Sequence, residues 1–247
     1  MKFAYSRADL PCEDLASGKV LFSRPGLTAF PVRLASELFL RATSLLASGG
    51  RPPPYHIYDP TCGGGYLASV LGFLHGDQLR NVSMSDISAN AVSVAVKNAA
   101  LLTPEGLSRR LNELSNLVAQ HDRQSHRAAL QGGNKLFALC RHLSTNVFQA
   151  DATRADLVAS KLAAQPPIDL VIADVPYGKR DQWRTGSHEP ALLTSLASIN
   201  VPVVVLATAK GIKFDHPGFD RAGKYRHGHR TLWLFRKSNL TAGAAKS

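Results

Sequence analysis

Apolar positions along this chain fall into two rhythms, one helical and one extended. Leu34, Leu38, Ala42 and Leu45 recur at helical spacing behind Pro31, whose missing N–H suits a first helical turn. Gly49-Gly50 and Pro52-Pro53-Pro54 stop that helix. The short run His56-Ile57-Tyr58 predicts a first strand ending at Asp59. Beyond a glycine turn, Leu67, Val70, Leu71 and Leu74 mark a second helical face. Asn81 to Met84 predicts a second strand, closed by Ser85-Asp86. Ser88 suits an N-cap, and Val92, Ala95, Val96 and Ala99 give a third helical face. Helix and strand in alternation is the pattern of a parallel sheet covered on both faces.

Residues 104–143 break that rhythm. Leu107, Leu111, Leu114 and Val118 predict one amphipathic helix; Leu136, Leu139, Cys140 and Leu143 predict another, with Gly132-Gly133 between them. Asn146 to Ala150 reads as a third strand ending at Asp151, Ile168 to Ala173 as a fourth, and Val201 to Leu206 as a fifth. Thr231 to Phe235 is a last strand, and the polar segment before it is placed to hairpin with it. The expected organisation is an extension and helix over 1–50, packed on a core of 51–247 with a helical insertion at about 104–145.

Composition narrows the class. A chain of 247 residues with 45% hydrophobic and 19% charged residues has ample material for a buried core. The net charge of +11 points to a polyanionic partner such as RNA or DNA. Cys12, Cys62 and Cys140 show neither disulfide nor zinc spacing. Met1 to Leu10 has charges at Lys2, Arg7 and Asp9 and no apolar core, so no signal peptide is expected. The longest apolar run, near Val201 to Ala207, is too short for a bilayer. A reduced, monomeric, cytoplasmic protein is expected, with no membrane partner.

Candidate chemistry gathers at strand ends. Asp59, Asp86, Asp151 and Asp174 each close a predicted strand, where open parallel sheets bind ligands. Asp59 opens the turn Pro60-Thr61-Cys62-Gly63-Gly64-Gly65, whose glycines let backbone approach a ligand. Asp86 follows about twenty residues on, a spacing that suits ribose hydroxyls. Asp151 is placed to accept from an adenine amine. The turn alone also fits a loose dinucleotide pattern, so a nicotinamide enzyme stays open at this point. Asp174-Val175-Pro176-Tyr177-Gly178 offers a carboxylate, a backbone carbonyl and a flat ring at one sheet edge. That set suits the exocyclic amine of a nucleobase. His227 and His229 flank Gly228 without carboxylate or cysteine partners, which reads as a polar turn, and no metal is expected. Cys62 reads as packing.

These residues resemble the class I S-adenosylmethionine-dependent methyltransferases, with Asp174 to Tyr177 similar to their amine-methylating motif. Val175 departs from the usual proline, and Thr61 stands where many members carry glycine. A closer likeness covers nearly the whole chain. Asp14 to Leu21, Ala29 to Ala35, Gly65-Tyr66-Leu67 with Leu71-Gly72, Lys97-Asn98 with Leu101-Leu102, and Pro176-Tyr177-Gly178 are similar to the avilamycin-resistance rRNA methyltransferases.

The resemblance implies a Rossmann-like α/β fold with a mostly parallel seven-stranded sheet. It implies S-adenosyl-L-methionine as cofactor, held by Asp59, Thr61, Gly63, Gly65, Asp86, Asp151 and Asp174. It also implies methylation of a guanine in 23S ribosomal RNA and resistance to orthosomycin antibiotics. Asp174, Val175, Pro176 and Tyr177 are the expected catalytic set: Asp174 and the Val175 carbonyl accept N–H protons, and Tyr177 stacks on the base. Such stacking is worth about 1–3 kcal/mol. The target guanine must be unpaired or flipped out. Lys179, Arg180, Trp183, Arg184, Lys210 and Lys213 are the expected RNA contacts, basic residues interleaved with an aromatic. A DNA amino-methyltransferase and a non-catalytic RNA-binding protein on the same scaffold are the alternatives.

Overall fold

A computed structural model describes residues 1–16, 18–27, 29–175 and 188–238. Within them the chain runs α1 (Val32–Ser48), β1 (Tyr55–Asp59), α2 (Tyr66–His75), β2 (Leu79–Asp86), α3 (Ala89–Ala100), α4 (Pro104–His121) and α5 (Gln124–Leu139). It continues through β3 (Ser144–Gln149), α6 (Ala155–Leu162), β4 (Leu170–Asp174), α7 (His188–Ser198), β5 (Val203–Ala209), β6 (Phe219–His227) and β7 (Arg230–Lys237). The expected strands are all present, with ends shifted by up to three residues.

The seven strands form one sheet in the order β3-β2-β1-β4-β5-β7-β6. β1 through β5 pair in parallel, and β7 runs antiparallel to both β5 and β6. The chain winds outward from β1 to β3, then returns to the other side of β1 with β4. Strand order therefore reverses between β1 and β4, and a crevice at their carboxyl ends is the expected ligand position.

Side-chain alternation splits the core between the two faces. Ile57, Met84, Leu170, Ile172, Val203, Val205 and Leu232 pack with α1, α2 and α3. Tyr58, Val171, Ala173, Val204, Leu206, Trp233 and Phe235 pack with α6 and α7. The first cluster also includes Leu15, Val20, Leu21 and Phe30, so the irregular N-terminal segment shares the core of the sheet. No helix among the described residues is long and apolar enough to cross a membrane.

One local expectation is corrected. Gly132-Gly133 does not separate the two insertion helices; it lies within α5, and the turn falls at Asp122, whose φ is 44°. The glycines serve close packing. A Cβ on Gly133 would lie 2.5 Å from Leu111 Cδ2 in α4, and one on Gly132 would lie 3.0 Å from Asp14 Oδ1. A glycine pair that reads as a breaker in sequence is here a groove that admits a neighbour.

Candidate active site

β1, β2 and β4 each end in an aspartate, and all three carboxylates face the reversal point. Asp59 is almost fully buried and accepts the Thr61 N–H at 3.2 Å. Burial pushes its carboxyl well above the usual carboxylate range, the Thr61 bond opposes this, and the charges of Asp86 and Asp174 add to the rise. Carboxyl groups gathered this closely suit a cationic ligand, which would offset their mutual repulsion.

Asp86 organises the glycine turn. Its Oδ2 accepts the Gly63 N–H and its Oδ1 the Ser88 N–H, both at 2.9 Å. The turn is also tied to β2 by the Cys62 N–H, 2.8 Å from the Ser85 carbonyl. Gly65 is demanded twice over. Its φ is +74°, and a Cβ there would lie 2.9 Å from Met84 Sδ and 3.1 Å from Ala95 Cα. The Thr61 hydroxyl donates to the Asp174 carbonyl at 3.3 Å, joining the first loop to β4 across the crevice. Thr61 thus has a tie to make that glycine could not. Cys62 is buried in the core and its thiol is pushed up by burial, with Asp59 and Asp86 adding to the effect.

Val175 explains its own departure from proline. Its side chain is buried, and its N–H donates to the Ala207 carbonyl at 2.9 Å, extending the β4–β5 ladder by one residue. Proline has no N–H for that bond. Asp174 itself is partly accessible, and Arg230 Nη2 of β7 stands 3.5 Å from its Oδ2. The Arg230 guanidinium lies 5.2 Å from the centre of the Phe30 ring.

The remaining expected residues divide. Asp151 lies two residues beyond β3, and its Oδ1 accepts the Thr153 N–H at 2.9 Å and hydroxyl at 2.7 Å. Lys210 and Lys213 are exposed on the segment that leaves β5. Pro176, Tyr177, Lys179, Arg180, Trp183 and Arg184 lie outside the described residues. His227, Gly228 and His229 form the β6–β7 hairpin turn, with Gly228 at φ +54°. Among the described residues no group of three His, Cys, Asp or Glu side chains could hold a metal.

Two residues that sequence reading left without a role hold the site. Asn98, fully buried on α3, donates from Nδ2 to the carbonyls of Phe22 and Gly64 at 2.9 and 2.8 Å. Its Oδ1 accepts the Phe22 N–H at 2.7 Å. The Tyr66 hydroxyl donates to the Leu15 carbonyl at 2.7 Å. Together they clamp the N-terminal segment onto the glycine turn. The available signal was an amide on the apolar face of α3, between Ala95 and Ala99.

Comparison with known proteins agrees along the chain. The family model for rRNA methyltransferase AviRa matches residues 1–230. The 23S rRNA (guanine(2535)-N(1))-methyltransferase of Streptomyces viridochromogenes is 36% identical over 237 residues, 92% of each chain. The solved structure of rRNA methyltransferase AviRa from that organism matches with a TM-score of 0.83 at 35% identity, covering 94% of this chain and 96% of that one. A putative RNA methyltransferase from Pyrococcus horikoshii shares the fold, with a TM-score of 0.51 at 15% identity over 93% of this chain and 96% of its own. The match takes in the N-terminal segment, the sheet and its polar edge alike: this chain is an rRNA methyltransferase and belongs to the AviRa family.

Proposed function

We propose that the protein transfers a methyl group from S-adenosylmethionine to N1 of an unpaired or extruded guanine in 23S rRNA, and thereby protects ribosomes against avilamycin-type orthosomycins. The observation that carries this reading is the convergence of Asp59, Asp86 and Asp174 on a glycine turn at the reversal of strand order. The Streptomyces relative named for guanine N1 supports the substrate. The site acts in a monomer in the cytoplasm. Residues 1–50 serve as an extension clamped on the 51–247 methyltransferase domain, with the insertion at 104–145; their shared core supports this division.

The donor set fits the cofactor. Three carboxylates suit its sulfonium and ammonium charges, and the Gly63 to Gly65 turn keeps side chains out of the crevice. When bound, S-adenosylmethionine supplies an activated methyl group. Asp86 accepts from the ribose, Asp151 from the adenine amine, and Asp59 and Thr61 hold the loop between them. Asp174 takes the in-plane N1 proton of guanine, and the Val175 carbonyl accepts from the exocyclic amine. That amine is then a recognition handle, and ring N1 is the acceptor. Pro176 fixes the turn and Tyr177 stacks on the extruded base. Exact placement is the main source of rate: alignment alone can contribute roughly 7–11 kcal/mol.

The test is incubation with labelled cofactor and 23S rRNA, followed by mapping of the labelled atom. Asp174→Ala should lose about 10²–10⁴-fold in methyl transfer, the usual range for a proton-transfer group, and far less in cofactor affinity, because Asp59 and Asp86 remain. Label on an atom other than N1, or full activity in Asp174→Ala, would overturn the reading.

A further inference from the structure

Arg230 opens β7 and reaches the sheet edge from a strand antiparallel to those that carry the carboxylates. Its separation of 3.5 Å from Asp174 is about 0.5 Å longer than an ordinary N–H···O bond. Arg230 Nη2 thus donates to Asp174 Oδ2 in a long hydrogen bond across two strands. Their side chains are 22% and 20% exposed, so both can meet a ligand. Phe30 lies against the guanidinium and limits where it can swing. A cationic donor and an anionic acceptor are thus held on two different strands at one accessible edge.

Resting on the reading of the site above, we propose that Arg230 is a catalytic and base-selecting residue whose guanidinium binds O6 of the guanine that gives its N1 proton to Asp174. Guanine presents an acceptor, O6, beside a donor, N1–H. Adenine presents the reverse, an amine donor beside an N1 acceptor. A guanidinium beside a carboxylate complements guanine at both positions and opposes adenine at both.

The same pair serves the reaction. The N1–H bond breaks, the proton passes to an Asp174 oxygen, and the electron pair stays in the ring, shared between N1 and O6. An N1–C bond to the methyl group would then form as the donor's S–C bond breaks, the electron pair of that bond staying on sulfur in the neutral thioether that leaves. The negative charge that grows on O6 meets a guanidinium already in place, so little reorganisation is needed at that moment. Arg230 from β7 and Asp59 from β1 are charged neighbours of Asp174. Its β5 partner, Ala207, is uncharged.

The experiment compares wild type with Arg230→Met and Arg230→Lys on 23S rRNA carrying guanine or 6-thioguanine at the methylated position. Sulfur is a poor acceptor, so the pair isolates the O6 contact. Without any methyl donor, wild type should bind the guanine RNA about tenfold more tightly, and Arg230→Met should bind both alike. With donor, Arg230→Met should lose about 10²–10³-fold in single-turnover rate and recover steeply with rising pH, as alkali ionises N1 in its place. Arg230→Lys, which keeps the charge, should retain part of both properties and stands in if the methionine variant fails to fold. An equal loss of affinity for both RNAs would mark a phosphate contact and overturn the proposal. So would an unchanged base preference and pH profile in Arg230→Met. Failure of the underlying reading looks different: it appears as full activity in Asp174→Ala or as label away from N1.

Discussion

At the scale of single residues, the site depends on side chains that never need to touch a ligand. Asn98 satisfies three backbone groups that are otherwise buried between the glycine turn and the N-terminal segment. Each buried group left unpaired costs about 1–3 kcal/mol. Asn98→Ala should therefore lower the melting temperature by roughly 6–12 °C, read by calorimetry, for a loss near 3 kcal/mol. A change within one degree would mean the amide is dispensable. Gly65→Ala tests the turn itself. The left-handed conformation costs an alanine roughly 1–2 kcal/mol, and the contact with Met84 adds to it. Weaker cofactor binding by titration is expected, because the strain falls on the turn that borders the crevice. Unchanged affinity would show that the turn relaxes without moving the site.

At the scale of elements, the N-terminal segment is held by one carboxylate. Glu37 of α1 is fully buried and accepts the N–H groups of Ala4, Tyr5 and Ser6 at 2.9, 2.9 and 2.7 Å, together with the Arg41 guanidinium. Burial alone would raise its carboxyl, but the bonds from Ala4, Ser6, Tyr5 and Arg41 outweigh it and hold the group below its ordinary value. A lowered carboxylate stabilises the fold above its unfolded-chain value and loses that contribution as pH falls through its folded value. Hydrogen-exchange protection factors at residues 4–6 should thus be high at neutral pH and fall in acid. Glu37→Gln should show low protection at every pH, having lost about 3–5 kcal/mol with its buried ion pair. High protection in that variant would show that packing alone holds the segment. The insertion helices teach the complementary lesson. Leucine spacing marks α4 in the sequence, but Gly132-Gly133 looks the same whether it ends a helix or lets Leu111 approach one.

At the scale of the whole molecule, a charge of +11 sits on a protein whose substrate is an RNA. Binding should fall steeply with salt, log affinity dropping by about 0.7 for each single-strand phosphate neutralised, per decade of salt. Measuring affinity for 23S rRNA across a tenfold salt range tests this. A flat response would place recognition in shape and stacking and leave the charge without a role. Lys210 and Lys213 are exposed on the segment that leaves β5, and their joint replacement by alanine should lower the slope by about one to two phosphates' worth.

The alternation of apolar runs and helical faces was enough to give the parallel sheet, because buried strands must be continuous and apolar whatever surrounds them. It also gave the carboxylates at strand ends, because a sheet edge is where polar residues can replace apolar ones without cost to the core. The whole-chain likeness carried the reading from that edge to ribosomal RNA. Contacts between distant segments leave no local mark. The Asn98 clamp, the Glu37 anchor, the ladder bond of Val175 and the approach of Arg230 to Asp174 join residues from 31 to 76 positions apart, or strands that meet only once the sheet is built. Their partners are chosen by strand order and helix packing, so only the folded chain shows them.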